Sequence, residues 1–432
     1  MKDGLAARRC AALAYTAILR DRRPLEPALE HTPGYREMSD RDRAFARAIL
    51  ATTFRRLGQT RKVLGEFLAK PIDEMPDSAA ALLITGTTQL LWMEGAPHAV
   101  VSTTVDLCQD STETYGLKGL INAVLRRVDR EGREIAARTA PRDNLPDWIA
   151  RSWRKAYGPA ALSRIANVQM APPPLDLTVK DPAERERWAE ALGAEILPTG
   201  TLRRQEIGDV SQLPGFREGA WWAQDAAAAI PASLLGVKPT DRVIDLCAAP
   251  GGKTLQLAAL GAKVTAVDSN ESRLKRLKDN LARTGLRASI AVADARRYRP
   301  KETADAVLLD APCTATGTMR RHPEAAWIKR AGDVQRMAKL QLEMAEASVR
   351  MLRPGGWLVV CTCSLQPEEG EGLAAALLQR REDLKPVAIQ DGEVPGLAGA
   401  ITPDGWLRLT PAVWADRGGM DGFFVARFEK RS

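Results

Sequence analysis

The sequence is poor in cysteine and histidine, and it has no long apolar run. Six cysteines are spread over 432 residues and no signal-peptide pattern is visible, so a secreted disulfide framework is excluded and we expect a cytoplasmic protein. Three histidines and the absence of a CysxxCys pair argue against a structural metal site. No apolar stretch approaches the roughly eighteen residues that span a bilayer, so no membrane segment is expected.

Length and charge favour a protein of several domains with a polyanionic partner. A chain of 432 residues exceeds the size of one ordinary domain and predicts two or three. The net charge of +8 favours nucleic acid as the partner, although charge by itself does not identify one.

The first segment, residues 1–138, is predicted to be entirely helical. Ala6, Cys10, Leu13 and Ala17 follow helical spacing and predict an apolar stripe on the first helix. SerAspArgAsp at 39–42 has the form of a helix start. Further helices are predicted around 40–56, 60–69, 78–93, 97–109 and 116–130.

The second segment, residues 139–220, is predicted to be a small α+β module. It combines a proline-containing linker with an extended LeuAspLeuThrValLys run (175–180). Trp148 and Trp153 occur among basic residues on a predicted helix. Such a helix either stacks on RNA bases or packs its aromatic side in a core with a basic exterior.

The third segment, residues 221–432, alternates strands with helices, the pattern of a doubly wound α/β sheet. Asp268, Asp294 and Asp310 end successive predicted strands. A carboxylate about twenty residues beyond the first turn is placed to accept hydrogen bonds from ribose hydroxyls. Asp268 is therefore predicted to bind a nucleoside cofactor. We expect Asp294 to contact the adenine amino group of that cofactor.

The first turn of this segment resembles a phosphate-binding P-loop, but Cys247 replaces the first required glycine, which makes a kinase or NTPase a weak alternative. A glycine-containing turn into a helix lets backbone approach an anionic ligand, which suits the carboxylate end of S-adenosylmethionine. The predicted cofactor loop comprises Cys247, Ala248, Ala249, Pro250, Gly251, Gly252 and Lys253.

Cys313 and Cys363 each follow an apolar strand and are expected at the same sheet edge, where open α/β sheets bind substrates. A thiolate that adds to C6 of cytosine makes C5 nucleophilic enough to accept a methyl group. Asp310 is a candidate acid for the same reaction. The alternative is that these cysteines are small core residues. We assign that role to Cys361, which is predicted to face the other side of the strand from Cys363.

A thiol needs a local field to ionise at neutral pH, because its ordinary pKa lies above 7. The basic side chains of Lys253, Arg320 and Arg321 are the candidates for that field around Cys363. The target base must be unpaired or flipped out of its stack to reach such a site, so we expect single-stranded or opened RNA.

Two resemblances cover essentially the whole chain. ArgArgCysAlaAlaLeuAlaTyrThrAlaIleLeu near the start and GlyLeuLysGlyLeuIleAsnAlaValLeuArgArgVal (116–128) are similar to the NusB-like RNA-binding fold. The third segment resembles the RNA cytosine-5 methyltransferase family, and the combination resembles bacterial 16S ribosomal RNA methyltransferases. The carrying motifs are AspLeuCysAlaAlaProGlyGlyLysThr (245–254), AspAlaProCysThrAlaThrGly (310–317), ArgArgHisProGlu (320–324), ThrCysSerLeuGlnProGluGluGly (362–370) and AspGlyPhePhe (421–424).

The family resemblance implies a Rossmann-like class I methyltransferase domain that uses S-adenosylmethionine. It implies that Cys363 is the nucleophile, that Cys313 assists product release, and that Asp310 contacts the target cytosine. Cofactor contacts are implied for the loop 247–253, Asp268, Asp294 and Asp310. The chain departs from the family pattern at Thr314 and Ala315, where SerGly is more usual.

Three alternatives to a ribosomal RNA substrate remain open at this point. Transfer RNA is the nearest, because the same chemistry applies to any accessible cytosine. A non-catalytic RNA-binding or assembly factor would use the helical domain alone. Methylation of a small molecule is disfavoured by the two additional basic modules.

Overall fold

The computed structural model describes residues 4–206 and 208–431. Up to Met170, every regular element of the described chain is helical, which confirms the prediction for the described residues up to 138. Ser39 accepts a hydrogen bond from the Asp42 amide, which confirms the predicted helix start. The α-helices are α1 (Leu5–Asp21), α2 (Leu25–Glu30), α3 (Asp40–Arg55), α4 (Leu57–Gly65), α5 (Asp77–Trp92), α6 (Pro97–Leu107), α7 (Thr112–Tyr115), α8 (Lys118–Ala137) and α9 (Asp147–Val168).

The predicted apolar stripe of α1 is wrong in its centre. Leu13 is 50% exposed, whereas the buried face consists of Ala7, Cys10, Ala11, Ala14, Tyr15 and Ile18, with Ala12 also buried. The helix packs against α3 and α5, so it buries a face centred on Ala11 and Ala14 and leaves Leu13 outside it.

Beyond Met170, the chain contains both strands and helices, which alternate between Trp221 and Val292. In chain order they are β1 (Leu175–Val179), α10 (Arg185–Leu192), β2 (Glu195–Ile196), β3 (Leu202–Arg204), β4 (Trp221–Ala223), α11 (Ala226–Ser233), β5 (Arg242–Leu246), α12 (Gly252–Ala259), β6 (Lys263–Asp268), α13 (Glu271–Thr284), β7 (Ser289–Val292), β8 (Ala304–Asp310), α14 (Ala325–Ile328), α15 (Ala331–Met351), β9 (Leu352–Thr362), α16 (Glu371–Arg380), β10 (Leu384–Pro386), β11 (Leu407–Leu409) and β12 (Phe423–Lys430).

These strands form two sheets. The smaller one is antiparallel, in the order β2-β3-β1-β4. The larger one has the order β10-β12-β9-β8-β5-β6-β7, with β11 paired to β12. Strands β9, β8, β5, β6 and β7 are parallel, whereas β12 runs antiparallel to β9. The carboxyl ends of β5, β6, β8 and β9 therefore share one edge, where the predicted site residues follow them.

Contacts divide the chain into two compact units. One runs up to Met170 and includes Met319–Arg330; the other comprises Ala171–Thr318 and the chain from Ala331. Residues 139–170, which we placed in the middle module, thus group with the helical unit. Trp153 on α9 is fully buried, so it is a core residue and not a stacking platform for RNA.

The segment 319–330 is a part of the third predicted domain that packs within the helical unit. Trp327 donates its indole N–H to the Phe54 carbonyl at 3.0 Å, and the Arg55 guanidinium donates to the Arg320 carbonyl at 3.0 Å. No helix in the described part of the chain is long and apolar enough to cross a membrane.

Candidate active site

The predicted cofactor loop connects β5 to α12. Gly251 has a φ of 113°, and a β-carbon at this position would lie 2.3 Å from a methyl carbon of Leu277. Only glycine fits such a turn, because it combines a left-handed backbone with a close side-chain contact. The Ala249 amide donates to one oxygen of Asp268 at 3.2 Å, which ties the loop to the end of β6.

Asp268 and Asp294 occupy the carboxyl-end edge as predicted from their positions after β6 and β7. Asp268 is nearly buried and also accepts from the Asn270 amide at 2.9 Å. Asp294 is gripped by the guanidinium of Arg296, whose Nη2 lies 2.6 Å from a carboxylate oxygen. These hydrogen bonds lower the pKa of Asp294, so it remains ionised. Arg296 was not identified from the sequence, because its role depends on this side-chain geometry.

Asp310 at the end of β8 forms an ion pair with Lys253, whose Nζ lies 2.7 Å from the carboxylate. Burial acts to lower the pKa of Lys253, but the charge of Asp310, its hydrogen bond with the ammonium and the other nearby groups together outweigh burial and hold the pKa above its usual value. The Lys253 ammonium also lies 5.1 Å from the ring centre of Phe423, in the AspGlyPhePhe motif. The lysine therefore stays charged and holds the Asp310 carboxylate in place.

The predicted orientation of Cys361 is wrong. Its sulfur lies 3.6 Å from Asp310 Oδ1, towards the same ion pair and not away from it. Residues two apart in a strand point to the same face, so the prediction that Cys361 and Cys363 face opposite sides had no physical basis. Burial and the nearby Asp310 charge raise the pKa of Cys361 well above its ordinary value, so it remains a neutral thiol.

The two candidate catalytic thiols lie together. The sulfurs of Cys313 and Cys363 are 3.3 Å apart, and both residues are partly exposed. The hydrogen bond to Cys363, together with burial, raises the pKa of Cys313 well above its ordinary value. The Cys313 thiol therefore retains its proton.

The turn behind this pair depends on Gly317. Its amide donates to the Cys363 carbonyl at 2.9 Å, and its own carbonyl accepts from the Gly422 amide at 2.9 Å. A β-carbon at Gly317 would lie 2.1 Å from the Gly422 carbonyl oxygen, so no larger residue fits. The glycine of the AspAlaProCysThrAlaThrGly motif therefore allows the two thiol-bearing turns to approach each other.

The electrostatic field on Cys363 stays a prediction, and the structure shows where its three candidate residues lie. Lys253 is engaged by Asp310, and Arg320 and Arg321 belong to the segment that groups with the helical unit. Sequence proximity of basic residues to the ProCys motif did not reveal that the chain crosses between units after Thr318. A carboxylate that was not singled out from sequence, Glu369, is instead bonded to the residues that follow both thiols.

Asp245, the first residue of the motif 245–254, lies in β5 and is fully buried. It accepts from the Thr254 hydroxyl at 2.5 Å, while its Oδ1 atom has no hydrogen-bond partner. Burial raises the pKa of Asp245 to about 7. The folded protein then binds a proton between pH 4 and 7 that the unfolded chain has already released, so this group's contribution to stability falls as pH rises through that window.

We therefore compare the free energy of unfolding of Asp245→Asn with that of the unsubstituted protein. We expect this difference to change in favour of the variant by about 1.4 kcal/mol per pH unit as pH rises from 5 to 7. The amide has the same shape but carries no charge at either pH. Thermal unfolding of both proteins across this range measures the effect, with the exposed Asp279→Asn as a control. A difference in melting temperature that does not change with pH would contradict the expectation.

The departure from the family pattern at Ala315 has a local energetic consequence. Ala315 has a φ of 57°, in the left-handed region where an L-residue is disfavoured by about 1–2 kcal/mol and glycine is not. We expect Ala315→Gly to raise the free energy of unfolding by up to about 1 kcal/mol, since glycine also loses more entropy on folding.

Chemical denaturation of Ala315→Gly measures this gain. Ala258→Gly, within α12, is the matched control and should lose about 1 kcal/mol, because glycine is unfavourable inside a helix. Destabilisation by both substitutions would show that the left-handed backbone at Ala315 carries no strain.

A mixed sheet of this order, with acidic residues and a thiol pair at its carboxyl edge, defines a Rossmann-like methyltransferase domain. The 16S rRNA methyltransferase RsmB/F family matches residues 232–429, and the NusB family matches residues 5–130. The ribosomal RNA small subunit methyltransferase B of Serratia proteamaculans (strain 568) is 34% identical, with 100% of both chains covered. The chain belongs to the RsmB/F family of RNA methyltransferases.

Solved structures agree with this assignment of the fold. The crystal structure of PH0851 is 25% identical with a TM-score of 0.77, covering 100% of this chain and 99% of that one. The structure of NSun6 from Pyrococcus horikoshii with SFG has a TM-score of 0.57 at 21% identity, covering 66% of this chain and 98% of that one. The latter likeness shows the fold alone.

The described residues contain no group of three or more His, Cys, Asp or Glu side chains placed to hold a metal ion. The nearby acids are engaged by other partners: Asp310 by Lys253 and Asp294 by Arg296.

Proposed function

We propose that the protein transfers a methyl group from S-adenosylmethionine to carbon 5 of a cytosine in small-subunit ribosomal RNA, through a covalent bond between Cys363 and C6. The observation that carries this proposal is the pair of sulfurs 3.3 Å apart, at the same sheet edge as the Asp310–Lys253 ion pair. The names of the relatives and of the RsmB/F family support ribosomal RNA as the substrate.

The residues present suit a nucleoside cofactor with an amino-acid end. Gly251 and Gly252 carry no side chain that would block the backbone of the loop, and the Ala249 amide is held by Asp268. The loop 247–253, Asp268 and Asp294 would hold S-adenosylmethionine, which supplies an electrophilic methyl group when bound. Asp294 enters this role as a carboxylate oriented by Arg296.

The chain's own residues account for the covalent steps. The Cys363 thiolate forms a bond to C6, and the displaced ring electrons make C5 nucleophilic. After C5 is methylated, its proton passes to water and the bond between sulfur and C6 breaks. Cys313 retains its proton and lies beside the departing sulfur, so it donates a hydrogen bond to the thiolate that leaves. Asp310 contacts the target base, while Lys253 orients its carboxylate.

Mapping 5-methylcytosine in RNA from a strain that lacks this protein tests the substrate. We expect one modified cytosine to disappear from small-subunit ribosomal RNA and to return when the intact chain is supplied. Loss from transfer RNA would instead establish the transfer RNA alternative. An unchanged map, together with no S-adenosylmethionine binding by the purified chain, would indicate a non-catalytic RNA-binding factor. A ribosomal RNA substrate also implies a cytoplasmic site of action.

A further inference from the structure

A buried carboxylate links the two thiol-bearing turns. Glu369 is fully buried. One of its oxygens accepts from the Thr314 amide and from the Gln341 side-chain amide, both at 2.9 Å. The other accepts from the Ser364 hydroxyl at 2.6 Å and from the Thr314 hydroxyl. Four donors thus converge on one carboxylate that is removed from water.

Two of the residues that donate to Glu369 are next to the two cysteines in the sequence. Thr314 directly follows Cys313, and Ser364 directly follows Cys363. The two turns leave the neighbouring parallel strands β8 and β9, and the hydroxyls of Thr314 and Ser364 also lie 3.1 Å apart. Glu369 therefore bonds to the residue after each sulfur, and its position determines how closely the turns approach.

The burial of this carboxylate is compensated by those donors. An isolated buried charge is strongly unfavourable, and a carboxylate is tolerated in a protein interior when hydrogen bonds satisfy its oxygens. The charge of Glu369 is also among the influences that raise the pKa of Cys313, after the hydrogen bond to Cys363 and burial. It therefore favours the protonated form of the thiol that we assign to product release.

We infer that Glu369 is a positioning residue, which holds Cys313 and Cys363 at the separation that adduct formation and release require. Its effect on turnover rests on the proposed function, whereas its effect on the separation of the sulfurs does not. The carboxylate touches neither sulfur in this arrangement. It acts through Thr314 and Ser364, the residues adjoining the two thiols.

The separation of the sulfurs is measurable without RNA. Hydrogen peroxide oxidises two neighbouring thiols to a disulfide; the sulfurs lose two electrons and two protons, and the peroxide is reduced to water. After a brief peroxide pulse has converted one sulfur to a sulfenic acid, the rate at which it condenses with the other thiol to form the Cys313–Cys363 disulfide reports how often the sulfurs meet. This step is followed in the full-length protein by peptide mass spectrometry. Reduction with dithiothreitol should restore both free thiols.

The variants are Glu369→Gln and Glu369→Ala, with Glu368→Gln as the matched control, since Glu368 is the adjacent carboxylate and is exposed. Glutamine keeps the shape and can turn its amide towards the two hydroxyls, so Glu369→Gln should fold. We expect it to slow disulfide formation about tenfold and to lower kcat by about 10–10²-fold, because misplacement by about 1 Å has effects of that size. KM for RNA and affinity for S-adenosylmethionine should stay within about threefold.

Glu369→Ala should show larger losses in both measurements, or fail to fold. Glu368→Gln should match the unsubstituted protein. An unchanged rate of disulfide formation in Glu369→Gln would overturn the inference, whatever happens to kcat. Slower disulfide formation in Glu369→Gln supports it, even if the unsubstituted protein proves inactive on RNA; that second result would instead defeat the proposed function.

Discussion

Replacing Cys363 by alanine should reduce methyl transfer to RNA by at least about 10³-fold, because the substitution removes the atom that forms the covalent bond to C6. Without that bond, C5 of cytosine is too weak a nucleophile to accept the methyl group. Affinity for S-adenosylmethionine should remain measurable, since the predicted cofactor residues lie at or just after the ends of β5, β6, β7 and β8 and not on the turn after β9. The measurement is single-turnover transfer of a labelled methyl group.

Cys361→Ala is the matched control for that experiment. It removes a sulfur only two residues away, which lies beside Asp310 and is fully buried. We expect most of the activity to remain, because Cys361 holds its proton and is assigned to packing. Methyl transfer at the normal rate by Cys363→Ala would remove the basis of the covalent mechanism.

Replacing Cys313 by alanine should cause a covalent complex between protein and RNA to accumulate. The sulfur that lies 3.3 Å from Cys363 is then absent, so the departing thiolate loses its hydrogen-bond donor while adduct formation is retained. Turnover should fall by about 10²-fold or more, the scale of a lost proton donor. A shifted protein band that survives denaturation and disappears after ribonuclease treatment measures the complex.

The double variant with both cysteines replaced is the control for this result. It should form no complex, since the trapped bond is assigned to Cys363. If Cys363→Ala formed the complex and Cys313→Ala did not, the two roles would have to be exchanged. The hydrogen bond between the sulfurs is compatible with either donor by distance; the raised pKa of Cys313 favours the assignment made above.

The strands and helices of the third segment, residues 221–432, were well predicted because each depends on the pattern of apolar residues within its own stretch of sequence. Two short apolar runs, one ending at Asp268 and one at Asp310, predict strands. The structure has β6 and β8 ending at those residues. The helix predicted through 271–284 coincides with α13. Each of these elements depends on the periodicity of its own residues, so no distant contact was needed to identify it.

Errors arose where distant contacts decide the outcome. Leu13 lies on an apolar stripe of α1 but is half exposed, because the helix buries a different face against α3 and α5. Residues 319–330 adjoin the ProCys motif in sequence but group with the helical unit. The exposure of Leu13 and the grouping of residues 319–330 depend on contacts between distant segments. Neither could be predicted from the local sequence.

The sequence by itself determined the helical first part, the alternating α/β part, and the placement of Cys313, Cys363 and three acids after strands. Only the tertiary structure decided that the sulfurs lie 3.3 Å apart, that Lys253 pairs with Asp310, and that Glu369 connects the thiol-bearing turns. Strand ends follow from local patterns of apolar residues. Distances between side chains on different turns depend on how separate segments pack, and buried charges such as Glu369 are stable only when that packing supplies their hydrogen-bond donors.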